Sequence, residues 1–189
     1  MRRRRGALYA VRSLTFILSE FWDLGHKLFR STPETYPATF IPDNAFDAKY
    51  LEIVAPFTTT NPPPVALASL SELTSLNPLR GRVSAIHASL LFHLFSEQER
   101  LHLARVLGAL LSPEPGSMIF GTHRRLPEKG VTLASGEDQA GMFCHSTGSW
   151  TELWNGVVFE KGTVRVDATM VDVKREESLT CKSTHCFGV

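Results

Sequence analysis

The 189-residue sequence has few cysteines, almost no net charge and no long apolar run. Three cysteines are an odd and low number, which argues against a disulfide framework and predicts a reducing, cytoplasmic location. The formal net charge of +1 gives no electrostatic basis for binding nucleic acid. Near the start, the longest apolar stretch is broken by Arg12 and is far shorter than the roughly 20 residues of a membrane-spanning helix. We therefore expect neither a membrane span nor a nucleic-acid partner.

Glycine-rich turns of the kind that cradle phosphates are also missing. No GxGxG-like stretch occurs in the sequence, and Gly6 is the sole glycine before Gly25. A nicotinamide-dependent oxidoreductase needs such a turn, and its Tyr-x-x-x-Lys pair is absent as well. The sequence therefore disfavours that class of enzyme.

The two ends of the chain differ in composition from the middle. Four arginines at positions 2–5 precede a β-type run, so we expect residues 1–18 to form a basic start and a first strand, with a mitochondrial presequence as the alternative. Residues 174–189 are expected to form a disordered tail. Cys181, His185 and Cys186 lie close together there, but no second ligand pair has zinc-finger spacing, so we expect no metal.

Between these ends, residues 19–173 show the alternation of strands and helices that is typical of an α/β domain. SEFWDLGHKLF has the apolar stripe of a helix. ATFI and VSAIHASL, at 38–41 and 83–90, predict strands, the second buried on both faces, and ALASLSEL at 66–73 predicts a short helix. Ser-Glu-Gln-Glu at 96–99 is a capping box that starts a helix, and SMIFGTH at 117–123 predicts the next strand. Strand, helix and strand predict a right-handed parallel crossover.

The later part of the domain predicts a loop, a helix and an edge strand. Residues 122–142 are polar and glycine-containing, which predicts a long loop or lid. SWTELWNGVV predicts a helix capped at Ser146 or Ser149. GTVRVDATMVDV, at 162–173, alternates strictly and predicts an antiparallel strand. The expected architecture is a three-layer, mostly parallel α/β sheet with an antiparallel strand near the C-terminus.

Polar residues follow two of the predicted strands. In an open parallel sheet, ligands bind beyond the carboxyl ends of the strands. Asn44 follows ATFI, where its side chain could accept a hydrogen bond from an adenine amino group, or could close an Asx turn. His87 stands at the tip of the strand VSAIHASL and His93 follows six residues later. Either histidine is a candidate for catalysis, the alternative being a structural histidine of the core.

Five stretches in the order EFWDLGHKLF, FIPDNAFD, AIHASLLFHLF, LLSPEPGSMIFG and MFCHSTGSWTELW resemble fungal S-adenosylmethionine-dependent methyltransferases. The resemblance covers roughly residues 19–173 and is greatest to the class I-like enzymes of meroterpenoid biosynthesis. It implies a Rossmann-like methyltransferase sheet, S-adenosyl-L-methionine as the cofactor and a small-molecule acceptor, and it allows a homodimer.

The resemblance also assigns roles to individual residues. In such proteins, the stretch that matches IPDNAFD contacts the adenine end of the cofactor, which implies this role for Asn44 and Ala45. Relatives carry an acid for the cofactor ribose at the end of the strand before EFW, but matching backward places Phe16 there, followed by Ile17. The family's first strand and glycine-rich turn have no counterpart, so we expect an N-terminally truncated chain.

The reaction implied by the resemblance is O-methylation of a small secondary metabolite, for example a terpenoid carboxylate. A carboxylate with a pKa of about 4 is already ionised near neutral pH and needs positioning rather than a strong base. His87 or His93 would orient the acceptor, or act as a base for a hydroxyl acceptor. The missing glycine-rich turn supports an alternative, a non-catalytic binding module.

Overall fold

The computed structural model describes residues 19–36, 38, 40–41, 44–64, 70, 73–132, 141–173 and 181–185. Phe16, Ile17, the run 13–18 and nearly all of the expected helix at 66–73 lie outside these residues. Within the described residues the chain forms the helices α1 (Ser19–Phe29), α2 (Glu97–Leu110) and α3 (Thr147–Trp154), and the strands β1 (Ala85–His87), β2 (Met118–Phe120), β3 (Gly130–Val131), β4 (Phe143–Cys144), β5 (Thr169–Val173) and β6 (Cys181–His185).

The expected parallel crossover is confirmed by the pairing of β1 with β2. Ala85 lies opposite Met118 and His87 opposite Phe120, with α2 as the connection between the two strands. Helix α2 carries the centre of the core, because a continuous apolar face is withdrawn from solvent on it. The buried residues of this face include Leu103, Ala104, Val106, Leu107 and Leu110.

Strand β1 is not buried on both faces, as its apolar sequence had predicted. Ile86 is half-buried, but Ala85 and His87 are exposed. Successive side chains point to opposite faces of a strand, so Ala85 and His87 share a face that no described element covers. His87 is therefore open to solvent at the carboxyl end of the strand.

The start of α2 is fixed by the expected capping box. The hydroxyl of Ser96 accepts a hydrogen bond from the Glu99 amide at 3.4 Å, and the Glu99 carboxylate accepts one from the Ser96 amide at 2.9 Å. Two amides that an α-helix leaves unpaired at its N-terminus are thereby satisfied. This cap fixes the start of α2 at the end of the segment 88–96, which leaves the carboxyl end of β1.

In the C-terminal part the predicted helix is present, but the predicted loop contains a strand and the predicted edge strand begins later. Helix α3 begins after Ser146, whose hydroxyl accepts from the Ser149 amide. The loop expected over 122–142 contains β3, which pairs in antiparallel fashion with β4 because the backbone of Thr132 and Met142 closes the ladder. Strand β5 begins at Thr169, later than expected, although burial alternates along 163–169.

Two further segments differ from expectation. No strand forms at the described residues 38, 40 and 41, because Ala38 bonds locally to the Tyr36 carbonyl and the Phe40 ring stacks on Trp22. The strand β6 lies inside the tail that was expected to be disordered, because its five residues pair with β5. The boundaries of the domain at 19 and 173 stay a prediction.

Ser96→Ala is expected to lower the free energy of unfolding by about 1 kcal/mol, because it removes the side-chain cap of α2. Urea denaturation followed by circular dichroism measures the change. Glu99→Gln is the matched control: it keeps a side-chain oxygen that accepts from the Ser96 amide and should cost less. Equal stability of Ser96→Ala and the parent would show that the capping box does not define the helix start.

Candidate functional site

The candidate site is the carboxyl end of the parallel strand pair, where the segments 88–96 and 121–126 leave β1 and β2. The two segments are tied together by their backbones. The Ala88 amide donates to the Phe120 carbonyl at 2.8 Å, and the Leu90 amide donates to the Thr122 carbonyl at 2.6 Å. A Cβ on Gly121 would lie 2.2 Å from the Ala88 carbonyl oxygen, so only glycine permits this approach.

Leu90 marks backbone strain at this end of the sheet. Its φ of 51° lies in the left-handed region, which is unfavourable for a residue with a branched side chain. The side chain is 57% exposed, although leucine is normally a core residue. Strained backbone of this kind persists where neighbouring hydrogen bonds hold it, and it is concentrated at ligand sites.

His87 and Ser89 form a polar pair at the tip of β1. The Nε2 atom of His87 lies 2.8 Å from the Ser89 hydroxyl oxygen, which also accepts a hydrogen bond from the Thr122 amide at 3.1 Å. The His87 ring lies 5.0 Å from the Phe120 ring. Because a hydroxyl can both donate and accept, Ser89 can support either neutral tautomer of His87.

A second group consists of the half-buried His93 and the buried residues Arg100, His123 and His145, and we call it the Arg100 cluster. Arg100 has no exposed surface, although it is a charged residue. Its Nε donates to the Phe95 carbonyl at 2.8 Å, but its two terminal nitrogens, Nη1 and Nη2, have no hydrogen-bond partner in the part of the chain that the structure describes. The guanidinium lies over the Phe143 ring at 5.1 Å from the ring centre.

Aromatic rings connect the members of the Arg100 cluster. The His123 ring lies 4.0 Å from the Trp150 ring, and the His145 ring lies 5.5 Å from the same tryptophan and 5.0 Å from Phe143. The hydroxyl of Ser149 lies 3.0 Å from His145 Nδ1. By contrast, Nδ1 of His93 and Nδ1 of His123 are buried, and no described residue forms a hydrogen bond with either atom.

Burial keeps the histidines of this cluster neutral. Desolvation, followed by the charge of Arg100, lowers the pKa of His123 to about 3 and that of His145 to about 4. Desolvation also lowers the pKa of His93, with smaller contributions from Arg124 and Arg100. Burial lowers the pKa of Arg100 too, but a guanidinium stays protonated in proteins. The positive charge of the cluster therefore resides on Arg100.

Asn44 and Ala45 lie in a turn that packs against α2. The side-chain oxygen of Asn44 accepts a hydrogen bond from the Phe46 amide at 3.0 Å, so the Asx turn is confirmed. The carbonyl oxygen of Ala45 lies 3.2 Å from His102 Nε2, and the Phe46 ring lies 5.1 Å from the Phe95 ring. Phe95 belongs to the segment 88–96, so the turn contacts the end of the segment that follows β1.

Of the sequence-predicted site residues, the structure describes Asn44, Ala45, His87 and His93. No hydrogen bond joins Asn44 to His87 among the described residues. Their assignment to cofactor and acceptor stays a prediction, as does that of Phe16 and Ile17.

Sequence analysis missed Arg100, His123 and His145. One signal could have found Arg100: it occupies the apolar stripe of α2, three, four and seven residues before Leu103, Ala104 and Leu107, where a charge is unexpected. His123 and His145 stand outside any regular pattern, and their burial depends on packing against α3.

In the described part of the chain, no group of three or more histidine, cysteine, aspartate or glutamate side chains is arranged to hold a metal ion. None of the described helices is long and apolar enough to cross a bilayer.

The chain is similar to known proteins in both sequence and fold. No family model matches the sequence. The chain is 28% identical over 143 residues to the O-methyltransferase phiE of the fungal strain ATCC 74256, covering 76% of this chain and 39% of that protein. It is 34% identical over 89 residues to the Asnovolin E/Chermesin D methyltransferase nvfJ of Aspergillus novofumigatus, covering 47% of this chain and 31% of that one.

A solved structure shows the fold. A SAM-dependent methyltransferase from Methanosarcina mazei matches 91% of this chain and 78% of its own with a TM-score of 0.54, at 12% identity. The chain has a SAM-dependent methyltransferase fold and is similar to fungal methyltransferases. The resemblance expected from the sequence is thus confirmed, as is the α/β class. The chain spans 39% and 31% of the lengths of the two fungal methyltransferases.

The buried histidines make the stability of this methyltransferase fold sensitive to acid. His123 has a lower pKa in the folded chain, about 3, than its ordinary value of 6.5, so the unfolded chain binds more protons between these values. The stability that His123 contributes is complete above pH 6.5 and is lost as the pH falls below it. Between pH 7 and pH 5 the loss is about 2 kcal/mol.

His123→Phe should flatten this dependence, since phenylalanine keeps a ring beside Trp150 and does not titrate. Urea denaturation at several pH values between 7 and 5 measures the slope for both proteins. The same slope in the variant as in the parent would mean that His123 is protonated in the folded chain at these pH values.

Proposed function

We propose that this chain transfers a methyl group from S-adenosyl-L-methionine to an oxygen of a small secondary metabolite, with a terpenoid carboxylate as the acceptor. The observation that supports it most strongly is the match of 91% of the chain to a SAM-dependent methyltransferase fold. Sequence similarity to a protein named as an O-methyltransferase supports transfer to oxygen. Polar side chains at the carboxyl end of β1 lie where ligands bind in such sheets.

Asn44 has the free groups that an adenine requires. The Asn44 side chain is exposed, and its oxygen uses one lone pair for the Phe46 amide, which leaves the second lone pair and the Nδ2 hydrogens available. A side-chain amide can accept from the adenine amino group and donate to a ring nitrogen. Asn44 would therefore hold the adenine end of the cofactor. Ala45, which is 1% exposed, would anchor the turn in the core rather than contact the ligand.

His87 would hold the acceptor. When bound, the cofactor supplies the methyl group on a positively charged sulfonium, and the protein contributes mainly alignment. For a carboxylate acceptor, His87 donates from Nδ1–H while its Nε2 accepts from Ser89. For a hydroxyl acceptor, His87 donates Nε2–H to Ser89 and takes the acceptor proton at Nδ1. Both arrangements use the observed 2.8 Å contact between His87 and Ser89.

Asn44→Ala is expected to weaken the binding of S-adenosylhomocysteine about tenfold, because two hydrogen bonds to adenine are lost. Isothermal titration calorimetry on the full chain measures the dissociation constant. Asn61→Ala is the control, since Asn61 is an exposed asparagine of another turn. Equal weakening by both substitutions would remove Asn44 from the cofactor site, and no binding by the parent chain would overturn the proposed function.

His87→Gln should lower methyl transfer to a carboxylic acid about tenfold, because the glutamine amide still donates a hydrogen bond but is placed differently. Transfer to a hydroxyl acceptor should fall by about 100-fold to 10,000-fold, because the base is lost. Mass spectrometry of the methylated products, with apolar carboxylic acids and alcohols as acceptors, measures both rates. His26→Gln, in α1, is the control.

The same assay separates the enzyme from the binding module. S-adenosylhomocysteine binding without transfer to any of these acceptors would favour the non-catalytic alternative. Transfer that is equally fast in the parent and in His87→Gln would remove His87 from the reaction.

A further inference from the structure

The terminal nitrogens of Arg100 are buried hydrogen-bond donors that no contact in the described structure satisfies. A buried charge is normally paired, because removing it from water is costly. Arg100 has no exposed surface and makes no salt bridge with the described acids. Among the residues that the structure describes, Nε is bonded to the Phe95 carbonyl, while Nη1 and Nη2 have no hydrogen-bond partner.

Neither acid of α2 compensates the charge of Arg100. Glu99, one residue earlier, is exposed, and its carboxylate accepts the hydrogen bond from the Ser96 amide. Glu97 lies three residues earlier, is exposed and forms an ion pair with Lys129. The other groups around the guanidinium are the neutral imidazoles of His93, His123 and His145, the Phe143 ring and the buried Cys144 side chain. The cluster therefore holds one positive charge and no negative one.

We infer that Arg100 is a binding residue for a carboxylate, whose two oxygens pair with Nη1 and Nη2. The two terminal nitrogens of a guanidinium form a planar fork that matches the two oxygens of a carboxylate. Nδ1 of His93 and Nδ1 of His123 are further unpartnered polar atoms of the same cluster. The first turn of α2, which carries Arg100, follows β1 at the edge where ligands bind in α/β sheets.

The carboxylate belongs to an apolar acid, and in this respect the inference rests on the proposed function. The amino-acid end of the cofactor also carries a carboxylate, but together with an ammonium group that would need an acceptor of its own. The cluster is instead walled by the rings of Phe92, Phe143 and Trp150. Such rings favour a hydrocarbon body attached to the carboxylate. Arg100 would thereby select acids over alcohols as methyl acceptors.

Access to Arg100 requires movement of the side chains that cover it. His93 and Phe143 are half-buried, and the neighbouring Leu90 and Leu94 are 57% and 58% exposed. The segment 88–96 thus presents apolar side chains to solvent beside the cluster. An apolar acid would contact these leucines as its carboxylate displaces the half-buried rings.

Benzoate, a small apolar carboxylate, is the probe for this site. The 189-residue chain is titrated with sodium benzoate at pH 7, with sodium chloride at equal ionic strength as the reference, and the melting temperature is measured. Benzoate is expected to raise the melting temperature of the parent and of Arg105→Gln, the control on the exposed side of the same helix. It should not raise that of Arg100→Gln.

A second variant keeps the test decisive if Arg100→Gln does not fold. Arg100→Lys retains the charge but loses the fork, so benzoate should bind about tenfold more weakly than to the parent. Without benzoate, Arg100→Gln should melt no lower than the parent, because it removes a buried charge without a counter-charge. Equal benzoate responses in the parent, Arg100→Lys and Arg105→Gln, or no response in the parent, would overturn the inference.

Titration with S-adenosylhomocysteine distinguishes the two sources of a carboxylate. If Arg100→Gln weakens its binding and leaves benzoate binding unchanged, the guanidinium holds the cofactor, and the assignment to the acceptor is overturned. An Arg100-dependent response to benzoate without any S-adenosylhomocysteine binding would overturn the proposed function and leave the carboxylate site standing. Binding of S-adenosylhomocysteine without an Arg100-dependent response to benzoate would overturn the carboxylate site and leave the proposed function standing.

Discussion

The contact of Gly121 with the Ala88 carbonyl is the constraint on which the candidate site depends. It allows the segments that leave β1 and β2 to run side by side, joined by the hydrogen bond from Leu90 to Thr122. A side chain at position 121 would separate these segments, and the support of His87 would be lost with them. Ser89 reaches the Thr122 amide only because the two segments are this close, and the same hydroxyl contacts His87 within its own segment. A backbone contact therefore determines the geometry of the polar side chains.

The candidate site contains exposed polar residues and buried polar residues, and the two groups differ in their chemistry. His87 and Asn44 are exposed and have polar neighbours, so they can exchange hydrogen bonds with a ligand at little cost in desolvation. Arg100, His123 and His145 are buried among aromatic rings, where each unpaired polar atom destabilises the folded chain. A protein tolerates such an arrangement when the unpaired groups meet a partner in the bound state, a trade of stability for binding that is frequent at functional sites.

The sequence predicts the local elements well where one short pattern decides them. The capping box at Ser96, the cap at Ser146 and the parallel pairing of 83–90 with 117–123 follow from neighbouring residues and are found in the structure. Predictions that depended on distant packing were less successful. The strand at 38–41 is replaced by local turns and the stacking of Phe40 on Trp22, and β6 gains its partner from β5. Neither contact is visible in a window of a few residues.

The residues of the candidate site, too, can be predicted from the sequence only where a local pattern identifies them. The position of a polar group after a strand can be inferred from sequence, which is why His87 and Asn44 were candidates. The environment of a side chain cannot, because the guanidinium of Arg100 is covered by Phe143, which is distant in the sequence, as well as bonded to the nearby Phe95 carbonyl. An arginine on the apolar stripe of a helix is ambiguous by itself, since its long side chain can extend to solvent. Only the folded chain shows that this guanidinium remains inside, with two donors that a carboxylate can satisfy.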